Sequence, residues 1–157
     1  MKRLLFVPFA LILVLGFAAP AAAQSPSYGV RAGVSGDPDQ FVFGGHLETD
    51  PLIERLTFRP NVEVGVGDDL TLVAVNLEFA YSIPLQNQPW RVYFGGGPAL
   101  NLYSFGDDHP GRDDDTELEG GFNIMLGLQH TRGLFTEFKV GVEDSPDVKF
   151  VVGYAFR

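Results

Sequence analysis

The stretch DVKFVVGYAFR, residues 147–157, runs on a two-residue period. Val148, Phe150, Val152, Tyr154 and Phe156 are apolar, and Lys149, Val151, Gly153, Ala155 and Arg157 stand between them. An extended chain turns alternate side chains to opposite faces, so this period reads as a β-strand with one apolar face. Chain ends fray unless something holds them. A clean alternation carried almost to the last residue therefore predicts a strand paired into a sheet.

Seven further runs have the same character. They are YGVRAGV (28–34), FVFGGHLE (41–48), LTFRPNVEVGV (56–66), LTLVAVNLEFAYSI (70–83), WRVYFGGGPALNLY (90–103), ELEGGFNIMLGLQH (117–130) and LFTEFKVGV (134–142). Each sets one apolar parity against a mixed one. In the fourth, Val73, Val75, Leu77, Phe79, Tyr81 and Ile83 oppose Ala74, Asn76, Glu78 and Ser82. The connecting segments carry Gly, Pro, Asp or Asn, the residues of tight turns, so hairpins are the expected links. Eight hairpin-linked strands make an antiparallel meander, and an even number lets the last pair with the first and removes both edges. The expected fold is all-β, an eight-stranded up-and-down barrel. The pattern does not fix the strand register, and leaves the facing open to local slips near Pro60, Pro98 and Gly120-Gly121.

Soluble and membrane barrels both alternate, with opposite polarity. The first hides its apolar face, and the second turns it to lipid. Here the apolar parity is continuous Phe, Leu, Val and Ile, a patch intolerable in water. The other parity has one or two charges per strand among Gly, Ala, Ser and Asn, suiting a narrow interior that side chains just fill. Buried charges need partners, and the interior parity supplies Glu48, Glu63, Glu78, Glu119 and Glu137 against Arg31, Arg59, Arg91, Lys139 and Lys149. Tyr28, Trp90, Tyr154 and Phe156 fall near strand ends on the apolar face, where aromatic girdles meet the lipid–water boundary. A transmembrane barrel is therefore expected, with both termini on one side and the long acidic loop, about 104–116, on the other.

The N-terminal segment fits this destination. Lys2 and Arg3 precede the apolar run LLFVPFALILVLGFAAP, and AAAQS follows. That is the form of a secretory signal peptide cut after Ala23; Pro8, Gly16 and Pro20 interrupt the run and argue against a permanent helix. Residues 24–157 then form the barrel domain. Losing Lys2 and Arg3 moves the net charge from −9 to −11, which excludes nucleic acid as a partner, since that needs a basic footprint. With no cysteine, neither disulfides nor a lipid-bearing N-terminal Cys is expected.

The leader, the eight alternating runs, YFGGGPALNLYSF and the aromatic-ended last strand together resemble the small outer-membrane β-barrels of the OmpX and OmpA-transmembrane-domain type, over the whole of 24–157. The resemblance implies location in the outer membrane among lipopolysaccharide, insertion by a barrel-assembly machinery that reads the last strand, and a monomer. That strand usually ends on an aromatic residue; here Arg157 follows Phe156. Family membership alone does not set a function. The expected role is structural or surface-interacting, without an open pore. The alternatives are a soluble lipocalin-like barrel holding a small apolar ligand, and an outer-membrane lipid-modifying enzyme.

Chemistry-bearing clusters are few. Asp107, Asp108, Asp113, Asp114 and Asp115 could contribute oxygen ligands to a divalent cation, but they lack the spacing of an EF-hand; a solvated loop bridged by Ca²⁺ or Mg²⁺ to lipopolysaccharide phosphates is the simpler reading. His46 shares the interior parity with Glu48, and its expected role is an interior hydrogen bond. Ser35 and Ser104 carry no nucleophile motif. The resemblance brings in lipid A deacylases and acyltransferases, but their His-x-Ser arrangement is absent, because Glu48 and Arg132 stand two residues after His46 and His130. FGGGP (94–98) lacks the Lys-Ser/Thr of a phosphate loop. No enzyme activity and no cofactor is expected.

Overall fold

The computed structural model describes residues 26–68, 70–105 and 116–156. The leader, His109 and the five loop aspartates lie outside them. The eight strands are β1 Ser27–Gly36, β2 Gln40–Glu48, β3 Leu56–Gly67, β4 Leu70–Pro84, β5 Trp90–Phe105, β6 Thr116–His130, β7 Leu134–Glu143 and β8 Val148–Phe156. Each is antiparallel to the next, and β8 closes on β1 from Tyr28↔Phe156 to Gly36↔Val148. The C-terminal alternation is the closing strand of an eight-stranded barrel. The strands end within about two residues of the expected runs; β5 reaches Phe105 and β6 begins at Thr116, so their link is 106–115.

Facing does not slip anywhere along these strands. In β6, Ile124, Leu126 and Leu128 are 53%, 56% and 42% exposed, while Asn123, Met125 and Gln129 on the opposite parity are buried. The prolines interrupt hydrogen bonds and leave the register intact. Pro60 has no N–H to give β2, and the ladder stops at His46↔Asn61 before a single bond from Thr49 N–H to Phe58 O at 3.0 Å. Pro98 sits at a gap in the β4–β5 ladder, between Asn76↔Ala99 and Phe79↔Gly96. A missing donor removes one bond. An inserted residue would be needed to turn the following side chains over, and neither site has one. The register left open by the sequence near Pro60, Pro98 and Gly120-Gly121 is continuous at all three places.

Three inward rings lie directly against glycines on the neighbouring strand. Tyr93 is paired with Gly127, Phe135 with Gly153, and His46 with Gly29. A Cβ added to any of these glycines would meet the ring itself. The barrel interior has a fixed cross-section, so each large ring requires an opposing residue with no side chain.

Gly153→Ala should therefore lower stability by about 1–3 kcal/mol, the usual penalty of overpacking. Gly120→Ala, where a Cβ meets nothing within 4 Å, should stay within about 0.5 kcal/mol of the parent, as exposed substitutions do. Both are read from the temperature at which the compact electrophoretic band converts to the unfolded one. An unchanged conversion temperature for Gly153→Ala would contradict the ring-on-glycine packing.

Candidate functional site in the barrel interior

The interior charges come from seven of the eight strands. Glu63 on β3 accepts from Arg31 Nη1 at 2.9 Å, Lys139 Nζ at 3.1 Å and Lys149 Nζ at 2.8 Å. Lys139 also donates to Glu78 Oε1 at 2.9 Å. Glu137 accepts from Arg31 at 3.2 Å and from the Tyr93 hydroxyl at 2.8 Å, with Arg59 Nη1 at 3.6 Å. Glu48 takes Arg91 Nη2 at 2.7 Å, with Arg59 Nε at 3.6 Å. β6 contributes amides instead: Gln129 accepts from Arg91 at 2.7 Å, and Asn123 donates to Asn76, which donates to Asn61, each at 2.8 Å. Asn61 in turn donates to Glu78 at 2.7 Å.

Aromatic faces complete the surroundings of the two inner arginines. The Arg59 guanidinium lies 4.5 Å from the Tyr93 ring centre and 5.5 Å from that of Phe135, and Arg31 lies 5.6 Å from Phe135. Nε and Nη2 of both arginines have no hydrogen-bond partner among the described residues. Cation–π attraction is worth the most where water is absent, and it offsets part of that deficit.

Nine of the ten interior-parity charges thus form one connected set. Glu119 does not join it. Its electrostatic neighbours are Asp144 and Glu117, and it makes no ion pair among the described residues. The reason is height along the barrel. β6 pairs with β7 only from Gly121↔Glu143, so Glu119 has inward parity but stands above the closed part of the wall. Four carboxylates then face five cations.

His46 differs from expectation too. Neither ring nitrogen has a hydrogen-bond partner among the described residues; the ring meets Phe135 edge-on at 5.1 Å. Ser35 Oγ instead donates to Pro38 O at 2.9 Å, and Ser104 is exposed at the loop end of β5, so neither of these two serines is bonded to His46. Among the described residues there is no group of His, Cys, Asp or Glu that could hold a metal ion. Tyr28, Tyr154 and Phe156 cluster on the outer face at the terminal end, with ring contacts of 5.4 and 5.1 Å, and Trp90 sits on His130 at 4.7 Å at that same end.

The two mouths are unlike. At the terminal end a hollow of about 260 Å³ is lined by Ser27, Glu48, Thr49, Asp50, Pro51, Thr57 and Arg91. At the loop end the turn 144–147 folds across the opening, with Ser145 and Pro146 buried. Asn101 Nδ2 donates to Asp144 O at 2.6 Å and to Ser145 Oγ at 3.2 Å, and the Tyr103 hydroxyl donates to Asp144 O at 3.1 Å. Parity identifies Asn61, Asn76, Asn101, Asn123, Tyr93 and Phe135 as inward, but it does not reveal the amide chain or the cap.

No family model and no curated protein matches this chain. Solved structures do. The N-terminal β-barrel domain of OprF from Pseudomonas aeruginosa is similar at a TM-score of 0.59 and 15% identity, over 84% of this chain and 100% of that one. Neisserial surface protein A (NspA) is similar at 0.55 and 15%, over 83% and 96%. The fold is that of the small eight-stranded outer-membrane β-barrels.

Glu63→Ala leaves three buried cations short of a partner and should cost about 3–5 kcal/mol, the range for breaking a buried pair. Glu119→Ala should change stability by no more than about 0.5 kcal/mol, as at other surface positions. Urea unfolding in detergent, followed by the fluorescence of the single tryptophan, Trp90, compares them. Equal losses in the two variants would contradict the separation drawn here.

Proposed function

We propose that this chain is an outer-membrane β-barrel protein whose interior is closed and whose role is structural or surface-interacting. The observation that carries the reading is inverted polarity. Phe41, Phe94, Leu126 and Phe150 are 48–75% exposed, while Arg59, Glu63, Glu78 and Lys139 are at most 2% exposed. A protein in water would be arranged the other way, since large exposed apolar surfaces mark a membrane or a partner, and a lipid-facing barrel has this polarity. The soluble lipocalin-like alternative requires the opposite facing and draws no support.

On this reading residues 1–23 direct export, both ends of the barrel lie in the periplasm, and the link 106–115 faces outward. Its five aspartates meet lipopolysaccharide through divalent cations. The barrel-assembly machinery recognises β8 with Phe156, and the protein works as a monomer. This reading includes no catalytic role.

Washing envelope membranes with urea or carbonate should leave the mature protein in the outer-membrane fraction; release into the wash would overturn the assignment. In planar bilayers the purified protein should show no steady conductance above that of protein-free lipid. A persistent open channel would contradict the closed interior.

A further inference from the structure

The turn 49–55 between β2 and β3 is the longest at the terminal end, where the other links are 85–89 and 131–133. Hairpin turns favour small and polar residues, yet this one places Leu52 and Ile53 at its tip, 57% and 71% exposed. Five hydrogen bonds fasten it. Thr49 N–H donates to Phe58 O at 3.0 Å, Phe58 N–H to Thr49 Oγ1 at 3.1 Å, Leu52 N–H to Leu56 O at 2.8 Å, Leu56 N–H to Ile53 O at 2.9 Å, and Ser82 N–H to Arg55 O at 2.9 Å. The apolar pair is held out by a built structure.

Its direction follows from the ladder. Ile53 bridges Leu56, and residues directly opposite in a bridge share a face. Leu56 has the outward parity of β3 and pairs with Tyr81 of β4, so Ile53 continues the apolar outer face past the end of the strands. Asp50, Glu54 and Arg55 flank the pair and limit how far it can sink, as charges are costly towards the bilayer midplane and cheap near its surface.

We propose that Leu52 and Ile53 form a lipid anchor that enters the inner leaflet at the headgroup–acyl boundary and fixes the depth and tilt of the barrel on that side. The proposal rests on the membrane reading above. Its occupant is lipid because Ile53 continues the belt that lipid would cover, with the exposed Leu52 beside it.

The chain has no cysteine, so single-cysteine variants can carry a spin label without other changes. Ile53→Cys, Leu126→Cys in mid-belt and Gln86→Cys in the neighbouring turn would be labelled in the full mature chain, reconstituted in phosphatidylcholine–phosphatidylglycerol vesicles. Collision with oxygen reports lipid, and collision with a water-soluble nickel chelate reports water. The expected result is oxygen-favoured collision at 53 and 126 and nickel-favoured collision at 86. Nickel-favoured collision at 53 with oxygen-favoured collision at 126 overturns the anchor and leaves the membrane reading standing. A label at 53 shielded from both reagents also overturns it, pointing to contact between copies. Nickel-favoured collision at 126 overturns the membrane reading itself.

Discussion

Three cations from three strands end on one carboxylate. Glu63 on β3 holds Arg31 of β1, Lys139 of β7 and Lys149 of β8, and the rest of the architecture follows from what such a contact requires. A charge without water must be paired or it costs several kcal/mol. Members of this set come from distant parts of the chain, with Lys149 and Glu63 86 residues apart. They can meet only when the sheet has curled until its first and last strands touch. Ring closure and charge satisfaction are one event here, and a barrel with an open seam would leave Lys149 or Arg31 without its carboxylate.

Volume is the second constraint, and it explains what stands beside the charges. An eight-stranded barrel has just enough interior for side chains, so two arginines, two lysines, three rings and a methionine must be offset by residues that take no room. The glycines opposite Tyr93, Phe135 and His46 provide it, and the arginines lie over the rings those glycines admit. Removing any of these glycines perturbs a ring, and through it a guanidinium. The polar network and the packing are therefore coupled, and neither can be redesigned separately.

The architecture was legible because a strand has only two faces, and parity assigns them without knowledge of any contact. It holds through Pro60 and Pro98 because a proline deletes a donor and adds no residue. Height along the barrel is different information, and it depends on stagger between neighbouring strands. That is why Glu119 reads as interior from its place in ELEGG but stands above β7, and why the ten charges reduce to nine. His46 shows a second limit: parity gives its direction, while its neighbour is a ring, Phe135, 89 residues further along the chain. The cap is hidden for a third reason. Ser145 and Pro146 lie in EDSPD, a sequence like any polar turn, and only contacts with Asn101 and Tyr103, forty-odd residues earlier, show that this turn folds inward.

The unlike mouths bear on where a function could reside. On the loop side the turn 144–147 is bonded to β5 through Asn101 and Tyr103 and to the first turn through Asp147 N–H and Asp37 O at 3.3 Å; on the terminal side the hollow ends on the Arg91–Glu48 pair. Between them each carboxylate is shared by at least two donors, so withdrawing any one side chain leaves others unsatisfied. On the closed-interior reading proposed above, a solute crossing the barrel would have to replace those bonds one after another. On the membrane reading, then, the surfaces free to act are those the network does not need: the apolar belt, the terminal turns below it and the acidic link beyond β5.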